Sequence, residues 1–218
     1  KLIEEVGETV EIHVGVQGEP FLYGDMDGLL EDLQAHKLIH TISIDTNATL
    51  LTRTRVDKLS AITKLQLNVS LDAMDEDVAK KIAGIKHYNL PHLLDIISYG
   101  ADKIKMIVAP VLTPGHNEKE IEKIIEWIQT LEHKPMLGIQ NYLPYKTGRR
   151  AGKPYTWEEF YALIEGWEQK YNVRLKLSAD DFDIRPLPPL EKPFKKGDIV
   201  GVKLVCEDRF PGSSLAKA

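Results

Sequence analysis

Gln17-Gly18-Glu19-Pro20 places one carboxylate between a residue that permits a tight turn and one that fixes the exit of that turn. The natural partner of such a carboxylate is a cation, for instance an ammonium group. Taken alone, Gly-Glu-Pro is a common turn. It gains weight from its neighbours in the pattern: Asp45-Thr46-Asn47-Ala48-Thr49 and Asn68-Val69-Ser70-Leu71-Asp72 also put polar and acidic residues just after an alternating apolar run. A basic cluster, Lys146, Arg149, Arg150 and Lys153, reads first as a solvated loop and alternatively as a contact for a phosphate or carboxylate. His13, His87, His92, His116 and His133 never fall at metal-ligand spacing on one element, so no zinc site follows. His13 is a structural histidine or, as the alternative, a substrate contact.

The elements that carry these residues alternate between periods of two and of about 3.6. Val10, Ile12, Val14 and Val16 give a strand, and Met26, Leu29, Leu30 and Leu33 a helix. Ile42 and Ile44 mark a second strand, and Val56 and Leu59 a short helix. Leu65, Leu67, Val69 and Leu71 form a third strand, followed by a helical stripe on Leu90, Leu93, Leu94 and Ile97. A fourth strand spans Ile104 to Ala109. The next helix has Asn117 as cap, Glu120 at the capping-box position, and Ile121, Ile124, Ile125, Ile128 and Leu131 on one face. Met136 to Tyr142 is a fifth strand. A helix capped by Thr156, with Glu159 three residues on, follows; Trp127 and the aromatics from Trp157 to Tyr171 are assigned to the core. Repeated βα units call for a parallel sheet with right-handed crossovers.

One parity of each early strand is polar: Glu11, His13, Gly15, Gln17, Glu19; Thr41, Ser43, Asp45, Asn47; Gln66, Asn68, Ser70, Asp72. A barrel interior packed with branched apolar layers would not tolerate that row, whereas a wider, incomplete barrel with a wet lumen would. The plainer alternative is a sheet with one solvent face.

The chain has 218 residues, 43% hydrophobic and 28% charged, and a formal net charge of −5, which gives no general attraction to nucleic acid or anionic membranes. No apolar run approaches the roughly 18 residues of a membrane span, and no signal peptide is visible, so the expected setting is cytoplasmic. The helix-like opening Lys1 to Val6 suggests that the true N-terminus lies upstream. The single cysteine, Cys206, excludes an internal disulfide or a cysteine-only metal site. Two glycosylation-type triplets, at Asn47 and Asn68, are accidental in such a chain. Four prolines between Arg185 and Pro193 place a boundary near residue 186, giving a barrel over 1–185 and a linker with a β-extension over 186–218. There, Gly197 to Val205 reads as a turn entering a strand.

In order and spacing, the strand ends resemble those of radical S-adenosylmethionine (SAM) enzymes, whose fold is an incomplete parallel (β/α) barrel. Gly18-Glu19-Pro20 resembles that family's Gly-Gly-Glu-Pro motif, with Gln17 in place of the first glycine; the resemblance implies that Glu19 holds the methionine ammonium. Asn47 matches a Thr-Asn-Gly-like motif and Ser70-Leu71-Asp72 a Ser-Leu-Asp motif, implying that Asn47, Ser70 and Asp72 hold ribose and carboxylate. Ile107-Val108-Ala109-Pro110-Val111-Leu112 and its continuation Thr113-Pro114-Gly115-His116-Asn117-Glu118 resemble the family's adenine-facing strand, and Gln140 to Gly148 resembles the last strand of the core, where a Leu-Pro-Tyr stretch closes the adenine pocket; the resemblance puts Val111 and Leu143 beside the adenine. The resemblance covers about residues 1 to 172.

It implies SAM and a 4Fe–4S cluster as cofactors, a reductant protein as partner, and a 5′-deoxyadenosyl radical that attacks an unidentified substrate. The CxxxCxxC cluster loop is missing, so the chain is either a fragment of such an enzyme, inactive by itself, or a degenerate relative; the helix-first opening favours the fragment. Residues 194–218 resemble the start of a TRAM-type β-barrel, which implies RNA, including tRNA, as a substrate class; an unrelated β-extension fits equally. His13, Lys146, Arg149 and Arg150 are candidate substrate contacts. The competing function classes are an RNA-binding scaffold without redox chemistry and an ordinary (β/α) aldolase or isomerase, the latter disfavoured by the lack of a strand-end lysine or paired acid and base.

Overall fold

The computed structural model describes residues 2–15, 18–144, 150–182, 184–187, 189, 191–208 and 212–217. Alternating apolar positions become the strands β1 (Val10–Val14), β2 (Ile39–Thr46), β3 (Leu65–Val69), β4 (Lys105–Val108), β5 (Val111–Leu112), β6 (Met136–Leu137) and β7 (Gln140–Asn141). The main sheet has the order β1-β2-β3-β4-β6 and is parallel at every pairing. Parallel neighbours need a crossover, and helices α2 (Met26–Ala35), α3 (Arg53–Leu59), α4 (Glu76–Ala83), α5 (Leu90–Gly100) and α6 (Glu118–Thr130) supply it, while α1 (Leu2–Val6) precedes the first strand and α7 (Trp157–Tyr171) follows the last of the parallel strands. This is the expected incomplete parallel barrel.

The apolar parity of the strands (Ile42, Ile44, Leu65, Leu67, Val69) is buried in one core with Leu30, Val56, Ile97, Ile121, Ile125 and Ile164 from the helices. The polar parity is thereby turned to the opposite face. Register then sets the polar rows side by side, His13 beside Ser43, Ser43 beside Gln66 and Asp45 beside Asn68.

Several local expectations change. The fourth and fifth strands each break in two, and β5 pairs with β7 as a separate parallel ribbon. Pro110 has no N–H to give the ladder, but Gln140 N still donates to Pro110 O at 2.8 Å and Gly138 N to Val108 O at 2.8 Å, so the two segments continue one curved surface. The capping box expected at Asn117 and Glu120 does not form. Asn117 Oδ1 instead accepts from Thr113 N at 2.7 Å, and Glu120 Oε2 from Met74 N and Asp75 N at 2.9 and 2.8 Å, because donors outside the helix, one in the loop before it and two distant in the chain, outcompete its own first turn. The box at Thr156 and Glu159 is present.

Helix α4, passed over in the sequence and burying only Ala79, is marked by Asp75 as N-cap and left-handed Gly84 as C-cap. On α7 only Phe160 and Trp167 among the aromatics are buried; Trp157 is 55% exposed and Tyr161 40%, which corrects their assignment to the core. The C-terminal strands, β8 (Lys203–Glu207) and β9 (Ser214–Lys217), form an antiparallel hairpin exposed along its length. Among the described residues no helix is long and apolar enough to cross a membrane.

Candidate functional site

Glu19 follows β1 and caps the short 3-10 turn Pro20–Leu22, its Oε1 accepting from Phe21 N at 3.1 Å. The same oxygen accepts from Thr46 Oγ1 at 2.7 Å, and Oε2 accepts from Asn47 N at 2.8 Å. The carboxylate is thus strapped to the end of β2. A carboxylate offers about four acceptor positions, and these three donors leave one open. Two backbone features allow the close approach. Gly18 has φ +82°. At Gly15, φ +115°, a Cβ would stand 2.8 Å from both Asp45 O and Pro20 Cγ, so only glycine fits.

The end of β2 turns sharply. Asn47 Oδ1 accepts from Thr49 N and Thr49 Oγ1, and Ala48 stands in the left-handed region at φ +55° with its methyl buried. Thr46 Oγ1 accepts from Ala48 N at 2.9 Å while donating to Glu19. Thr46 was missed from the sequence because it sits on the apolar parity of its strand; its hydroxyl beside Asn47 was the available signal.

Glu19, Asn47 and Ser70 line one cleft of about 320 Å³, together with Gly18, Asp45 and Val111. The strand ends therefore converge on one hollow. Asp72 and Leu143 do not share it. Asp72 Oδ1 accepts from Val111 N at 2.8 Å, and the side chain lines an adjoining cavity of about 780 Å³ with His116 and Arg150. Burial, opposed by that backbone N–H, raises the Asp72 carboxyl above its ordinary range. Leu143 borders a third cavity of about 350 Å³, which meets the cleft at Asn68, Ala109 and Gln140. Lys146 and Arg149 lie outside the described residues. His116, treated above only as a discounted metal ligand, bonds through Nε2 to Ala151 O at 2.8 Å.

Beside the cleft the polar rows close into a ring. Asp45 can only accept, so Asn68 must turn its Nδ2 toward Asp45 Oδ1 (2.8 Å) and Ser43 Oγ (3.0 Å). Ser43 is then free to donate to His13 Nδ1 (3.1 Å), and His13 Nε2 donates to Asp45 Oδ2 (2.9 Å). In the neutral imidazole this is the Nε2–H tautomer. Asn68 Oδ1, in turn, takes the Gln66 amide N–H at 3.1 Å.

A family model, the radical SAM superfamily, matches residues 1–128. The chain belongs to the radical SAM superfamily. It is 34% identical over 233 residues to an uncharacterised protein of Methanocaldococcus jannaschii, covering 96% of this chain and 54% of that one. It is 29% identical over 184 residues to the GTP 3′,8-cyclase of Crocosphaera subtropica, covering 77% and 53%. The fold resembles that of Streptococcus suis SuiB bound to S-adenosylmethionine, with a TM-score of 0.61 and 20% identity over 78% of this chain and 39% of that one. The chain spans about half the length of the curated relatives it matches.

Members of the family are enzymes, and the family implies SAM and a 4Fe–4S cluster. The cleft fits SAM: it offers a preset carboxylate with an acceptor position open, and among the described residues no Lys or Arg lines it. The chain does not fit the cluster. Three thiolates are required; Cys206 is the single cysteine, it is exposed in the hairpin, and no group of three metal-ligating side chains occurs among the described residues.

Proposed function

We propose that this chain is the SAM-binding part of a radical SAM enzyme whose cluster ligands lie outside it. Glu19 accepts from the methionine ammonium, Asn47 and Ser70 contact ribose and carboxylate, and Val111 gives apolar surface to the adenine. Leu143 extends that apolar surface at the neighbouring cavity, and Asp72 acts from behind, by holding Val111 N. The observation that carries this assignment is the Glu19 carboxylate, fixed in the cleft by three donors of its own fold and, among the described residues, paired with no cation there. An acceptor so fixed loses little freedom when it binds, which is the economy of a preorganised site.

SAM held by Glu19, Asn47 and Ser70 would supply hydrogen-abstracting radical chemistry once a cluster carried outside this chain reduces it. The contribution of this chain is to orient SAM and to keep water from the radical. The substrate, RNA included, and the reductant protein belong to the whole protein.

The test is calorimetric titration of SAM into the intact cluster-loaded protein and into its Glu19→Ala variant, with 5′-deoxyadenosine measured after reduction. The expected result is weakened binding and no 5′-deoxyadenosine in the variant; equal affinity in the two proteins rejects the role of Glu19. A scaffold that binds RNA without redox chemistry would give instead tRNA binding with a steep salt dependence and no SAM affinity.

A further inference from the structure

Beside the SAM cleft lies a cavity of the opposite charge. Glu19 and Asp45 line the cleft, and among the described residues no lysine or arginine does. The neighbouring cavity of about 780 Å³ is lined by Lys81, from the last turn of α4, and by Arg150, from the segment after β7. That volume lies in the range of small-molecule sites, roughly 300–1,000 Å³. Asp72 supplies a carboxyl to the same wall, but its Oδ1 is taken by Val111 N and burial favours its neutral form, so it offsets the two cations only in part. Arg150 is exposed and, among the described residues, makes no ion pair. A chain of net charge −5 thus keeps one hollow positive.

The wall that carries Arg150 is held in place. His116 Nε2 donates to Ala151 O at 2.8 Å, and Ala151 N donates to the Tyr142 hydroxyl at 3.2 Å. The residue after Arg150 is therefore fixed at both of its backbone groups, by two side chains that line the same cavity. Having accepted from Ala151 N, the Tyr142 hydroxyl keeps its own hydrogen to donate. Lys81, Arg150 and Tyr142 belong to three separate segments, so they can meet one ligand from different sides. A carboxylate is satisfied by a single arginine fork, whereas a phosphomonoester has three terminal acceptor oxygens, one for each of these donors. Ile82, Ala83 and Val111 add apolar surface for an organic body. Val111 also lines the SAM cleft, so a molecule seated here by its phosphate can reach SAM with its other end. We propose that this cavity is the substrate site and that the substrate is an organic phosphomonoester, its phosphate held by Arg150, Lys81 and Tyr142. This rests on the assignment of the acidic cleft to SAM.

Phenyl phosphate, benzoate and benzylamine share a ring and differ in the charge and oxygen count of the head group. Each is titrated into the intact protein without SAM by ligand-observed NMR. Phenyl phosphate is expected to bind at least about tenfold more tightly than benzoate, the weight of one further charge-assisted hydrogen bond, with benzylamine weaker still. Arg150→Gln and Lys81→Gln are each expected to weaken phenyl phosphate about tenfold. Both side chains are exposed, so neither replacement empties the core, and near-ultraviolet circular dichroism confirms that the variants are folded. Lys105→Gln removes the same charge where β4 begins, at the other end of the sheet, and leaves phenyl phosphate binding unchanged. Absence of phenyl phosphate binding, equal binding of phenyl phosphate and either other probe, affinity retained in Arg150→Gln, or an equal loss in Lys105→Gln overturns the proposal. Since SAM is left out, this can fail while the Glu19 titration succeeds, and the reverse.

Discussion

Replacing Glu19 by glutamine keeps its size and removes its charge, so the consequences can be worked bond by bond. Oε1 serves Phe21 N and Thr46 Oγ1, and Oε2 serves Asn47 N. A carboxamide has one oxygen. If it faces Phe21 and Thr46, its NH₂ points at the Asn47 N–H; if it flips, the NH₂ confronts Phe21 N. At least one bond to a charged acceptor is lost and one donor is left facing a donor, at about 1.5–3 kcal/mol. With a urea slope of about 2 kcal/mol/M, the midpoint falls by about 1 M. The ammonium of SAM loses its charged partner as well, a further 1.5–3 kcal/mol or roughly 10- to 150-fold in affinity. Urea unfolding monitored by far-ultraviolet circular dichroism reads the first effect, and SAM titration of the intact protein well below the new midpoint reads the second. Affinity changed by less than about threefold, alongside the expected loss of stability, would show that Glu19 is a strap between β1 and β2 and nothing more.

Other substitutions probe the frame around the cleft. Asn117, 1% exposed, accepts from Thr113 N and donates to Asp72 O and Val111 O. Asn117→Ala strands these backbone groups and is expected to cost about 3 kcal/mol or more, read as a lowered urea midpoint; a change under 1 kcal/mol would contradict this accounting. Asp72 gives a pH signature. Its carboxyl is raised by burial, so the stability it contributes is complete at acid pH and is lost as the pH climbs through its elevated folded value. Asp72→Asn keeps an acceptor for Val111 N without that loss. The variant is expected to gain on the parent between pH 4 and pH 7 in urea midpoints, and a gap that is flat or narrows over that interval refutes it.

Much of the cleft could be read in one dimension. Residues two apart on a strand must share a face, so the rows through His13, Ser43 and Asn68 were assigned to a common interior before any pairing was known, and the ring of hydrogen bonds is their meeting. Capping at Thr156 was equally visible, because both partners lie within one turn. The failures share a cause. Glu120 and Asn117 carry the letters of a capping box, but donors 46 and 4 residues away took their acceptors. Thr46 lies on the apolar parity and was passed over, while Trp157 and Tyr161 fit a helical stripe that the core does not reach.

The amino-acid sequence by itself determined the alternation of strands and helices, the polar face of the sheet and the chemical types at the strand ends, since these follow from periods of two and 3.6 and from the few residues that turn a chain. Only the tertiary structure decided that Glu19 is held by Thr46 and Asn47, that Asp72 faces a different cavity from Glu19, and that Asn141 keeps an acceptor without a donor. Each of those outcomes depends on which strands lie side by side and in what register. Register is fixed by burying the apolar face of all five strands at once, a condition that no single segment contains.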